Sequence, residues 1–316
     1  MHCYRVVLIL SVFISFGLFS VSAQTSESAI KHFINGNNKF QEGNLDAAIE
    51  EFSRAIVLSS TLSPSNRKSM QNATGFAAAE PDSGGIWVVD PFTARAYCNR
   101  GLVRFQKDDF DGAISDFNHA LEISPALAQA YVNRGAAKRA KGDLEGSLLD
   151  ISRAIKLDPR SAEGLTNRAE VLQELRRSAE GFSNINRAIS LKPDLAAAYY
   201  VRGWIRRFNR DFDESLSDYN QAIKLDADMV WAYMGRGAVW VQKDEPDRAI
   251  SDFDRAIQLD PKLAIAYGDR GIALLYKDRE IAAQTDFDRC LALDPALKNE
   301  LRTLIQTARA YLASKW

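Results

Sequence analysis

Six arginines recur every 34 residues in this 316-residue chain: Arg100, Arg134, Arg168, Arg202, Arg236 and Arg270. Sixteen residues after each stands a carboxylate or its amide: Asp116, Asp150, Asn184, Asp218, Asp252 and Asp286. A guanidinium is a planar fork of donors that a carboxylate accepts through two parallel hydrogen bonds. The spacing therefore predicts a repeated internal ion pair. The rival reading is a row of arginines open to an anionic ligand. One residue before the arginine, three consecutive copies carry an amide, Asn99, Asn133 and Asn167; the row then lapses at Val201, Gly235 and Asp269. An amide donates to a carbonyl and accepts from an N–H, so this row suits an extended main chain. It suits solvent equally well.

Other chemistry is thin. The apolar N-terminal segment aside, the histidines are His32 and His119, too few for a histidine metal cluster. Cys98 and Cys290 are too distant in sequence to suggest a pair; Cys290 reads as a small buried side chain, and Cys98 as either structural or reactive. There is no phosphate-cradling glycine loop and no nucleophile elbow. Neither a metal nor a cofactor is expected.

The elements that must position these rows are visible in residues 96–125. Apolar and small residues recur at helical spacings: Tyr97 and Gly101, then Ala113, Phe117, Ala120 and Leu121. The polar stretch Gln106–Gly112 breaks the chain into a hairpin of two helices. Asp109 and Asp111 stand at the positive end of the second helix, and Pro125 ends it. Moving along by 34 reproduces the pattern. Prolines fall at 91, 125, 159, 193, 261 and 295, and glycines at 101, 135, 203, 237 and 271, with Ala169 on the missing rung. A bulky ladder runs Phe117, Ile151, Ile185, Tyr219, Phe253, Phe287. One hairpin cannot bury its apolar face alone, so each copy must lean on the next.

A helical hairpin of period 34 resembles the tetratricopeptide repeat (TPR), and Tyr97, Gly101, Ala113, Phe117, Ala120 and Pro125 match that family's hallmarks in order. The resemblance covers residues 94–297, with a weaker seventh copy at 29–58 that has His32 for the early tyrosine and Asn35 and Glu51 in the ion-pair positions. It implies an all-α fold, an α-α superhelix or TPR solenoid of seven hairpins with a C-terminal capping helix at 298–316. It also implies that the first helices line a concave face. Asn99, Asn133 and Asn167 would lie there, as in relatives that hold a peptide main chain. So would Tyr200, Trp204, Trp231, Met234 and Tyr276, an aromatic set of the kind found at protein-binding hot spots. The alternative is that the terminal helix folds back over them, with Trp240 in the core between copies. The Lys/Asn pair that clamps a terminal carboxylate in some relatives is missing, with Cys98 and Leu102 in the second copy instead.

Three segments fall outside the repeats. Arg5 precedes an apolar run, Val6–Phe19, and Val21-Ser22-Ala23 offers small residues for cleavage, so residues 1–23 read as a secretory signal, or else as an uncleaved membrane anchor. The protein is thus expected to be exported, periplasmic or secreted. A proline due at 60 arrives at 91, so residues 59–90 read as an insertion with one apolar cluster at Trp87. It is either a surface loop or a partner-binding arm. Asn72 opens a glycosylation triplet within it. Residues 296–316 form a helix with an apolar stripe through Leu301, Ile305 and Ala308.

Charge narrows the partner. Forty basic against 41 acidic residues leave no excess for a phosphate backbone, so nucleic acid is not expected. The expected function is a non-enzymatic scaffold for a protein or extended peptide. The alternatives are an accessory subunit of an envelope or secretory enzyme complex, and self-association.

Overall fold

The computed structural model describes residues 21–62 and 91–314, and every regular element among them is helical. The chain divides into two compact units, residues 1–160 and 161–316. In unit 1 the helices are α1 (Val21–Gln41), α2 (Leu45–Ser60), α3 (Pro91–Gln106), α4 (Phe110–Ile123), α5 (Ala128–Ala140) and α6 (Leu144–Leu157). In unit 2 they are α7 (Ala162–Glu174), α8 (Ser178–Leu191), α9 (Ala196–Asn209), α10 (Phe212–Leu225), α11 (Val230–Gln242), α12 (Pro246–Leu259), α13 (Ala264–Leu275) and α14 (Glu280–Leu293), closed by α15 (Lys298–Ser314). Successive helices pair into seven hairpins, with α15 after the last. The expected secretory segment lies outside the described residues except for Val21–Ala23, whose backbone opens α1; Asn72 and Trp87 lie outside them too. No described helix is long and apolar enough to cross a membrane.

Each hairpin turns on one left-handed residue at the same register: Gly43, Asp108, Gly142, Arg176, Arg210, Asp244 and Asp278, with φ between 55° and 84°. Only two are glycine, so no glycine signal marks this turn in the sequence. The second helices of several hairpins start on side-chain caps. Asn44, Asp109 and Asp143 each accept a bond from the backbone N–H three residues on, at 3.3, 2.9 and 2.9 Å. Ser124, before Pro125, leaves the helical region at φ −133° and ψ 84°.

Inside each hairpin the small rung faces the bulky one. A Cβ added at Gly101 would stand 2.8 Å from the Phe117 ring, at Gly135 2.8 Å from Ile151, at Gly237 2.7 Å from Phe253 and at Gly271 2.4 Å from Phe287. Close helix approach therefore requires glycine at these rungs, and the rings fill the space behind it. Phe52, Phe117, Ile151, Ile185, Tyr219 and Phe253 are all fully buried.

The arginine ladder is an internal lock, not an open row. Arg100, Arg134, Arg236 and Arg270 each reach the aspartate of their own hairpin through Nε and Nη2 at 2.6–2.9 Å. Arg202 does the same with Asp218, at 2.9 and 2.7 Å. The remaining Nη1 donates to a side chain on the preceding second helix: Ser53, Asn118, Asn186, Asn220 and Asp254 for Arg100, Arg134, Arg202, Arg236 and Arg270 respectively. One guanidinium thus ties two helices of its own hairpin and the hairpin before it. In the first copy, which lacks the pair, His32 Nδ1 meets Glu51 at 2.9 Å instead.

Three observations add detail to the expected array. First, α2 runs to Ser60 and α3 starts at Pro91, so the first hairpin extends two residues past 58. The buried Ser59 and Thr93 hydroxyls share a 2.6 Å hydrogen bond that holds α2 to α3, and Phe92 packs on Phe33 at 5.2 Å. Second, the helices group into two compact units, residues 1–160 and 161–316. Third, the first copy of unit 2 is the one with Leu165, Ala169 and Asn184 on the tyrosine, glycine and aspartate rungs. There Arg168 makes one 3.2 Å bond to Asn184, and its Nε is buried with no acceptor. Asn184→Asp is expected to complete that lock and stabilise unit 2 by about 1 kcal/mol, net of desolvation. Urea denaturation checks this; a variant no more stable than the parent would sink it.

Candidate functional site

In unit 1 the amide row is built by α1, α3 and α5. Asn99 Nδ2 donates to Asn37 Oδ1 at 2.9 Å, and Asn133 accepts from Gln129 Nε2 at 2.9 Å while its Nδ2 faces the Cys98 sulfur at 3.6 Å. Both asparagines are half-buried and bonded within their own unit, so neither simply projects into solvent. In unit 2 Asn167 on α7 is half-buried among residues that are almost wholly covered; Thr166, Glu170 and Gln173 are each buried.

Farther along unit 2 the aromatic set splits. Tyr200 and Trp204 on α9 and Trp231 on α11 are half-buried, with Tyr200 against the Tyr219 ring at 6.1 Å. Met234 is corrected from groove to core: it is 5% exposed, packed with Val230, Phe253 and Ala266. Its turn of α11 faces α12 and α13, which close over it. Tyr276 caps α13 and meets Tyr311 of α15 edge-on at 5.6 Å, so the terminal helix does cover this end of the set. Trp240, expected in the core between copies, packs half-buried against the cores of two neighbouring hairpins and lies beneath the Arg248 guanidinium at 4.6 Å from its ring centre.

Charge on this face is sparse and partly buried. Asp269 takes the register of the asparagine row on α13. Burial pushes its carboxyl up to about 6; Arg207 on α9 pulls it down, and Glu300 on α15 pushes it further up. Tyr219 sends its hydroxyl forward to this region, where a Cβ at Gly235 would stand 2.7 Å from it. That explains why the asparagine row lapses to glycine there. Arg207 and Ser215 both lie within hydrogen-bonding reach of that hydroxyl.

Among the described residues the cysteines, Cys98 and Cys290, are free and buried. Burial pushes the Cys98 thiol up to about 12, which removes the reactive reading, because the thiolate is the nucleophile. Among the described residues no group of three or more histidine, cysteine or acidic side chains is placed to hold a metal ion. An open cavity of about 250 Å³ in unit 2 is lined by Asn220, Arg236, Trp240, Arg248, Ser251 and Asp252.

Comparison with known proteins agrees with this architecture. Tetratricopeptide repeat models match residues 94–127 and 200–264. RNA polymerase II-associated protein 3 of Xenopus laevis is 32% identical over 101 residues, 31% of this chain. The match spans only 15% of that protein's length. The crystal structure of a tetratricopeptide repeat protein from Parabacteroides merdae superposes with a TM-score of 0.63 at 17% identity, over 90% of this chain and 99% of that one. A chain of the APC/C hetero-tetramer Cut9–Hcn1 gives 0.64 at 12%, over 91% and 54%. At these identities the likeness is one of fold.

Proposed function

We propose that this chain, an all-α array of tetratricopeptide repeats, is a non-enzymatic scaffold that holds an extended protein segment or a protein partner on the face of its first helices. The observation that carries the reading is the half-buried aromatic surface of α9 and α11, Tyr200, Trp204 and Trp231. Large rings with one side packed and one side wet supply contact area at little cost in conformational entropy, which is why such residues dominate interface energetics. The amides of α3 and α5 support the same reading in unit 1, as a rim able to exchange hydrogen bonds with a main chain. The export signal read at residues 1–23 puts that partner outside the cytoplasm, with the membrane involved only if the segment stays uncleaved.

Crosslinking mass spectrometry on the native envelope or secreted fraction identifies the partner. Against it, Trp204→Ala is expected to weaken binding about tenfold or more, an effect typical of an aromatic hot spot. Asn133→Ala, tested separately, is expected to weaken it a few-fold, without unfolding either unit. If both variants bind as the parent does, these faces are not the site.

A further inference from the structure

The aspartate of the internal lock is not shared alike in every hairpin. Asp116 takes a second cation, Arg104 Nη1 at 3.0 Å; Asp150 takes Lys138 Nζ at 2.8 Å; Asp218 takes Arg206 Nη1 at 2.6 Å. Each donor stands four residues after the ladder arginine. The two guanidinium groups bond a further acceptor, the backbone carbonyl four residues before the aspartate: Gly112 O at 3.2 Å and Glu214 O at 3.3 Å. Three hairpins therefore share one receptor for a second cation, built from a buried carboxylate, with a backbone carbonyl as well in two of them.

Two later hairpins carry an apolar residue in place of that donor. In the last one Leu274 is buried at 5% and fills the space. In the one before, the residue is Trp240, and there the cavity opens. Among its lining residues are Asp252, the aspartate of this hairpin's lock, and Arg248, whose carbonyl holds the register of Gly112 O and Glu214 O, four residues before the aspartate. Burial raises the Asp252 carboxyl against the pull of Arg236, the one cation bonded to it among the described residues. The charge of Arg236 is matched by Asp252, and its Nη1 is taken by Asn220. Arg248 is 60% exposed, with Glu245 at 4.0 Å as its nearest acid, and it rests on the Trp240 ring. An indole face that already receives one guanidinium is a fitting wall for another.

We infer that Trp240, Asp252 and the main chain at Arg248 form a binding site for a guanidinium group supplied from outside the chain. The ligand does from without what Arg104 and Arg206 do from within. It places its donors on the carboxylate and the carbonyl, stacks on the indole, and displaces Arg248 toward solvent. Two cations on one aspartate is a charge arrangement that three sibling hairpins already hold. Trp240 and Arg236 share α11 with Trp231, but no lining residue is among those of the proposed partner surface, so the site is tested independently of it.

The test uses the whole chain, with the Trp240 indole N–H resonance, assigned by mutation, as reporter. N-acetyl-arginine methylamide is titrated against its neutral isostere, N-acetyl-citrulline methylamide. The arginine compound is expected to shift the Trp240 resonance saturably and to bind roughly ten- to hundredfold more tightly than the citrulline compound. Trp240→Arg puts the sibling donor back; this variant is expected to fold, to melt no lower than the parent, and to lose binding by a similar factor. Arg248→Ala removes the competing guanidinium and is expected to bind several-fold more tightly. Methylguanidinium and a Gly-Arg-Gly peptide separate the sources: tighter binding of the peptide assigns a protein segment, equal binding a small guanidine. Equal affinity for citrulline, undiminished binding in a folded Trp240→Arg protein, or weaker binding in Arg248→Ala overturns the site.

Discussion

Phe253→Ala is expected to destabilise unit 2 by about 3–5 kcal/mol, the range for deleting a fully buried phenylalanine whose cavity cannot collapse. Phe253 is 1% exposed and stands between Gly237, Ala249 and Ala256, with Val230, Met234 and Ala266 around it. Gly237, Ala249 and Ala256 are too small to fill the gap, and Met234 and Val230 are themselves held in the packed cluster. A Cβ on Gly237 would meet the ring at 2.7 Å, which shows how closely the α11 backbone rests on it. Because neighbouring hairpins stabilise one another, the loss should spread through unit 2. Urea denaturation followed by hydrogen exchange checks both parts: amides of α11–α13 should lose protection while those of α3 and α4 keep it. A loss below about 1 kcal/mol would mean that these helices close over the cavity.

Asp116→Ala is expected to cost about 3 kcal/mol or more in unit 1. The carboxylate is 1% exposed and holds Arg100 at 2.9 and 2.6 Å and Arg104 at 3.0 Å. Removing it leaves the Arg100 guanidinium, 15% exposed, without its carboxylate and the Arg104 guanidinium, 26% exposed, with only the distant, half-exposed Asp109 at 3.8 Å. The cost is that of stranding charges, and it exceeds what the pair contributes over an apolar equivalent. The double variant Arg100→Met/Asp116→Leu should therefore regain part of the loss, since it removes the stranded Arg100 charge and leaves Arg104 with Asp109. Thermal and urea unfolding of the three proteins decides it. If Asp116→Ala falls within about 1 kcal/mol of the parent, the arginines find water and the lock carries little of the fold's stability.

The two predictions use the two ladders that were legible without coordinates. Spacing alone put Phe253 on the buried bulky ladder, Gly237 on the small one and Arg100 with Asp116, because a hairpin repeated at constant length must return the same residue to the same place; that the Phe253 ring rests on Gly237 came from the structure. The lock to the preceding hairpin was not legible. Its acceptors, Ser53, Asn118, Asn186, Asn220 and Asp254, vary in type, and what they share is position sixteen residues before the arginine, or 47 where the insertion intervenes. A signal of position without identity does not stand out in one sequence. His32 with Glu51 escaped notice for a related reason: that pair does the work of the lock from a different turn of its helix.

By itself, then, the amino-acid order determined that this protein is helical hairpins of one length, which face of each helix is small or bulky, and which charges neutralise each other. Those are consequences of period, and period survives in the linear chain. Tertiary packing alone decided that Met234 belongs to the core while Trp204 stays half wet, that Cys98 is sealed off, and that the helices group into two compact units, residues 1–160 and 161–316. It also decided that leucine at 274 closes its site whereas tryptophan at 240 lines a cavity beside a buried carboxylate. The physical reason is the same throughout. A repeat specifies an average environment, and burial at any single position is settled by the volumes of the particular neighbours that meet there.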